Sequence, residues 1–226
     1  MRFNSKISGL ALAVAAVAAS GAAHAQSIDV RVIGTITPAA CAPNMSGGGV
    51  IDYGNIAASS LNQTDYTALP ERLVPFSLTC DAPTKVAVRA VDNRASTIVP
   101  GIIESGILGG GMAAGYGYDF GLGASSGQNV GIYVVALRGG SFTGDGNAVD
   151  SLHSNDDGAS WNGNSSGTFR RDRLVSWAAP GTTTPGSYST LAGELRVQAA
   201  IDKAENLDLT DEVPLDGLAT LEVVYL

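Results

Sequence analysis

Short runs in which apolar and polar residues alternate recur along this 226-residue chain, with the two-residue period of β-strands. The opening example is "SIDVRVIGTITPAAC", residues 27–41. It places Ile28, Val30, Val32 and Ile36 on one face and Asp29, Arg31, Thr35 and Thr37 on the other, with Gly34 as a notch in the apolar row. Further strand-like runs cover residues 74–80, 85–91, 173–179, 193–201 and 218–226, and residues 130–137 form a β-branched, mostly apolar run that reads as a buried strand. Within residues 218–226 Leu221, Val223 and Tyr225 face one way, and Thr220, Glu222 and Val224 the other. "DAPT", residues 81–84, reads as a turn between the first two runs, and clusters of Gly, Pro, Asn and Ser separate the rest. No amphipathic helical run of twelve residues follows residue 25. The pattern predicts an all-β chain built as a single β-sandwich.

One stretch breaks the rhythm. Residues 100–129 hold 10 glycines. A phosphate-binding glycine loop needs a strand before it, a helix behind it and a lysine or acidic partner. This stretch has neither lysine nor helix signal, so it is expected to be a long surface excursion inside one domain, with short strand-like pieces near residues 116–122.

Composition adds the compartment. Residues 1–25 have a basic start (Arg2, Lys6), an apolar run too short to span a bilayer, and "AHA" before Gln26. That is the layout of a secretory signal peptide. Cleavage there leaves 11 basic against 21 acidic residues. So acidic a chain, read as lacking a basic cluster, is not expected to bind nucleic acid or an anionic membrane. A secreted chain with two cysteines, Cys41 and Cys80, is expected to join them. A metal pair or a redox motif would need closer spacing. Closing a loop of about 40 residues contributes on the order of 4 kcal/mol in the chain-entropy model.

"VIGTITPAAC" resembles the N-terminal extension and first strand of chaperone–usher pilins, in which a glycine stands seven residues before the first cysteine, as Gly34 does before Cys41. In that family the second cysteine follows about forty residues later at a strand end, as Cys80 does, and the penultimate residue is aromatic, as Tyr225 is. "CDAPTKVAVRAVDNRA" and "LDLTDEVPLDGLATLEVVYL" are also similar to a pilin-like secreted bacterial family of unknown function, DUF1120. The resemblance implies an incomplete immunoglobulin-like β-sandwich over residues 38–226, with a donor-strand extension over 26–37. Ile28, Val30, Val32, Gly34 and Ile36 would fill a neighbour's groove by β-augmentation. Leu221, Val223, Tyr225 and the carboxylate of Leu226 would form the groove edge and the chaperone contact. The implied function is a structural subunit of a fimbria, polymerising by donor-strand exchange in cell adhesion or biofilm. The implied partners are a periplasmic chaperone, an outer-membrane usher and other subunits, and the implied location is the cell surface, reached through the periplasm. From alternation alone, residues 28–36 could instead be the first strand of a complete sandwich, with Gly34 as a bulge.

Other constellations carry less. "SNDDGASW" fits the Asp-box pattern, with Ser154, Asp156, Gly158 and Trp161 at its key positions. A single copy marks a tight hairpin rather than a sialidase. Asp145, Asn147, Asp150, Asn155, Asp156 and Asp157 offer oxygen ligands without EF-hand spacing, so a solvated turn cluster is expected and no metal. His153 is the lone histidine after the signal segment, and it reads as an exposed loop residue with no nucleophile elbow nearby. No cofactor and no enzymatic activity are expected. Trp161, Trp177, Tyr116, Tyr118 and Tyr133 could line a sugar-binding surface, which keeps open an adhesin or carbohydrate-binding domain that does not polymerise. They are more readily read as core and hairpin packing.

Overall fold

The computed structural model describes residues 30–35, 40–109, 111 and 115–226. The chain divides into two units, Met1–Thr37 and Pro38–Leu226. In the first, residues 30–35 belong to no strand, and Val30 and Val32 are 86% and 92% exposed. The strand expected there is therefore not formed over 30–35. Strands exist by pairing, and these residues have no ladder partner among those described. Ile28, Ile36 and the signal segment lie outside the described residues.

The second unit is an all-β sandwich. Its main strands are β1 (Cys41–Met45), β2 (Arg72–Thr84), β3 (Val86–Asp92), β4 (Phe120–Gly121), β5 (Gly131–Leu137), β6 (Asp150–Ser154), β7 (Leu174–Ala178), β8 (Tyr188–Ile201) and β9 (Ala219–Tyr225). One antiparallel sheet runs β1-β2-β8-β5-β4. The other runs β6-β7-β3-β9, with the short Asn162–Gly163 ladder outside β6. The first and last strands of the sandwich thus occupy one edge of each sheet.

Alternate residues of both sheets meet in one core, which includes Phe76, Leu78, Val88, Val175, Trp177 and Leu195. Phe142 stacks on Trp177 with ring centroids 5.5 Å apart. The ring lies where a side chain at residue 193 would go, since a Cβ on Gly193 would come within 2.5 Å of it. Strand β8 needs its glycine for that close approach.

Two sequence expectations change. "DAPT" is not a turn: residues 81–84 continue β2, and only Lys85 separates it from β3 in the other sheet. The β2–β8 ladder is irregular here: Thr190 pairs with Thr79 and Tyr188 with Thr84, so β2 carries extra residues where it leaves that ladder. Pro83 is tolerated because it sits at an exposed strand end. The glycine-rich excursion is also more than surface. Val99, Ile102 and Ile103 pack on Ile132, Val134, Ala136 and Ala200, forming a second cluster on the outer face of β5. All seven residues of β5 are consequently buried, which accounts for its continuous rather than alternating apolar sequence.

The expected disulfide is present. Cys41 and Cys80 are direct cross-strand partners of β1 and β2, 39 residues apart in sequence. Its removal in a Cys41→Ala/Cys80→Ala variant is predicted to lower the unfolding free energy by about 2–4 kcal/mol in urea titrations. An unchanged midpoint would mean the bridge constrains nothing.

Candidate functional site

An open apolar groove lies along the edge of the sandwich where β1 and β9 run. Among the described residues β1 forms a ladder only with β2, and β9 only with β3. At one end the two edges are tied, because the Cys41 N–H donates to the Tyr225 hydroxyl at 2.8 Å. Away from that tie they part around a cavity of about 430 Å³. Its sides include Met45, Ala219 and Leu221, and its floor includes Val135, Leu195 and Val197. A second cavity of about 720 Å³ continues it between residues 51–61 and 207–215, and the two share Ile51, Tyr53 and Leu215.

β9 shows what the opening does to the core. Ala219, Leu221 and Val223 point inward onto core residues yet are only half-buried. The β3 partners of Leu221 and Val223, Ala90 and Val88, are at most 1% exposed. Tyr225 shares the inward face but is half exposed at the tied end, its hydroxyl engaged by Cys41. Leu226 continues past the strand: its N–H donates to the Lys85 carbonyl at 3.1 Å, and its side chain rests near Gly158 and Trp161. Tyr53 props the groove floor. Its hydroxyl accepts the Ala199 N–H at 3.1 Å and donates to the Val197 carbonyl at 3.4 Å, and burial raises the pKa of its phenol.

The Asp-box residues lie elsewhere, on the outer face of the second sheet. Asp156 accepts the Ser160 N–H at 2.9 Å and the Ser160 and Ser154 hydroxyls at 2.5 and 2.7 Å. The Ser154 hydroxyl also accepts the Gly158 N–H at 2.8 Å, and the Trp161 indole N–H donates to the Gly158 carbonyl at 3.1 Å. Gly158 adopts φ 94°, where a side chain would be strained. These bonds close a hairpin, and they face no cavity that adjoins the groove.

The remaining acidic loop residues are dispersed. Asp157 pairs with Arg89 at 2.6 Å, Asp150 accepts the Gly181 N–H, and Asp145 accepts the N–H groups of Ser189 and Thr190. Among the described residues no group of three or more His, Cys, Asp or Glu is arranged to hold a metal. His153 is not in an exposed loop. It lies half-buried on β6, a strand whose polar composition hid it in the sequence. Burial, and then the nearby Arg173 charge, lower its pKa. Trp177 and Tyr133 are core residues. Tyr116 and Tyr118 instead stand with Arg170, Arg171 and Arg173, a basic cluster that the overall acidity concealed. "RRDR" was visible as its signal; the aromatic partners, some 50 residues upstream, were not.

Comparison with known proteins fits this chain into a family. Residues 30–134 match a family model described as "Protein of unknown function (DUF1120)". Protein GltF of Escherichia coli (strain K12) is 32% identical over 241 residues, which span 96% of this chain and 94% of that protein. The chain belongs to the DUF1120 family. The uncharacterized protein YhcF of the same organism is 30% identical, over 91% of this chain and 92% of its own length. The family match covers β1 to the middle of β5, so both the disulfide and one wall of the groove fall inside it.

The hydrogen bonds around Asp156 hold its carboxyl at a pKa of about 2, chiefly through the Ser160 and Ser154 hydroxyls. The folded value lies below the ordinary 3.8, so these bonds stabilise the turn fully above that pH and fade as pH falls through about 2. Carbon-detected NMR titration is predicted to give a midpoint of about 2 for Asp156, with Ser160→Ala moving it toward 3.8. A midpoint already at the ordinary value would remove the Asp-box bonding described above.

Proposed function

We propose that this chain is a pilin-like structural subunit that polymerises by donor-strand exchange. The segment over residues 26–37 of one copy fills the groove between β1 and β9 of another. One observation carries the reading: an apolar slot lies between two strands that each have an unpaired edge, and the inward residues of β9 are half-buried along it. An incoming strand would satisfy both needs, because its backbone pairs with the strand edges and its alternate side chains enter the slot. Ile28, Val30, Val32 and Ile36 supply such a row, with Gly34 as a notch in it. Burying each large side chain is worth roughly 1.5–3 kcal/mol before ordering costs. The 86% exposure of Val30 and 92% exposure of Val32 leave that apolar surface available.

On this reading the chain is exported through the periplasm, held there by a chaperone that occupies the groove, and passed by an outer-membrane usher to a surface fimbria with a role in adhesion or biofilm. It performs no catalysis, and it takes no cofactor or nucleic acid. Tyr225 and Leu226 are part of the chaperone contact, beside the tied end of the groove.

The test separates donor from acceptor. A chain lacking residues 26–37 is predicted to stay unpolymerised, while a synthetic peptide of residues 27–37 binds it saturably and raises its unfolding midpoint. At a peptide concentration 100 times Kd the gain is about 2.7 kcal/mol. A peptide with Val30→Asp and Val32→Asp is predicted to do nothing. If the truncated chain matches the full chain in stability and ignores the peptide, the groove is not an acceptor.

A further inference from the structure

We infer that the arginine–tyrosine cluster at one end of the sandwich is a binding site for a carboxylated sugar, separate from the groove and independent of polymerisation. Three of the 11 basic residues beyond the signal segment fall within residues 170–173, in a chain of net charge −8. The fold stacks them on two aromatic rings. Arg170 and Arg173 lie 5.9 and 5.5 Å from the Tyr118 ring centroid, and Arg171 lies 5.4 Å from that of Tyr116.

The charges are unevenly matched. Arg171 pairs with the buried Asp119 at 3.0 Å, and Arg170 with Asp172 at 3.0 Å. Arg173 has no carboxylate partner among the described residues. Its Nη1 donates to the Tyr118 hydroxyl at 2.6 Å, while its Nε is buried without an acceptor. The Nε of Arg171 and the Nδ1 of His153 are likewise buried and unpartnered. A guanidinium drawn partly out of water without a counter-charge is costly, and an anion beside it relieves that cost.

The balance sets the ligand class. Three cations less two paired carboxylates leave about one positive charge, which suits a single carboxylate. Nucleic acid and other polyanions would need more compensation than this, and the acidic remainder of the surface repels them. Tyr116 adds the second half of the recognition. It is 81% exposed, with the Asp119-paired guanidinium of Arg171 over its ring, so it offers an apolar surface within the same cluster. An aromatic platform next to a guanidinium suits a pyranose ring bearing a carboxylate, such as a uronic acid.

The test is NMR titration of the whole chain with methyl glucuronide, methyl glucoside and acetate. Saturable binding of the glucuronide is expected, with the glucoside and acetate each at least about tenfold weaker. Arg173→Gln is expected to weaken glucuronide binding about tenfold. Tyr116→Ala, which alters an exposed side chain and leaves the core intact, is expected to bring glucuronide binding down to that of acetate. No glucuronide binding, equal binding of the glucoside, or wild-type affinity in both variants would overturn the assignment.

Discussion

A sheet edge is a row of backbone donors and acceptors that must be paired, hydrated or covered. This sandwich leaves two such edges side by side, β1 in one sheet and β9 in the other, with apolar core residues between them. The rest of the molecule follows from that constraint. The inward residues of β3, Val86, Val88 and Ala90, are fully buried, while those of β9, its immediate neighbour, are only half-buried. The difference lies in what covers each strand, since the inward residues of both are apolar.

Several features keep the groove open rather than letting its walls collapse together. The Cys41–Cys80 bridge fastens β1 to β2, its only partner strand among the described residues. The bond from Cys41 to the Tyr225 hydroxyl fixes the spacing at one end. Tyr53 bonds the β8 backbone at Val197 and Ala199, between the end of its pairing with β2 and the short ladder with Thr67–Ala68. Away from the groove the sandwich is closed conventionally. The Asp-box hairpin lies against Leu174 and Leu226, and the glycine-rich excursion covers the outer face of β5.

Much of this was legible in the sequence, for identifiable reasons. Period-two alternation located β2, β3, β7, β8 and β9, and a continuous apolar run located β5, because burial on one face or on both writes those patterns directly. The even cysteine count gave the bridge. What stayed hidden was whatever depends on distant partners. β1 is "CAPNM", whose proline and polar residues suit an edge, and it is a strand only because β2 lies beside it. β6 buries Leu152 and Ser154 among polar neighbours and reads as a loop. The crossing at residues 81–84 looked like a turn because proline marks turns more often than sheet changes. Of the site, the Leu221–Val223 wall was visible in the alternation, whereas the floor from Val135, Leu195 and Val197 and the prop from Tyr53 needed the fold.

The central claim is that β9 has a vacant side that a strand from another copy occupies. Amide hydrogen exchange across residues 219–225 measures this directly, in the isolated chain lacking residues 26–37 and in the assembled form. The account predicts that N–H groups turned toward β3 are protected in both, and that those turned toward the groove exchange rapidly in the isolated chain and become protected on assembly. Equal protection of every β9 amide in the isolated chain would show that the sandwich completes itself, and would contradict the account.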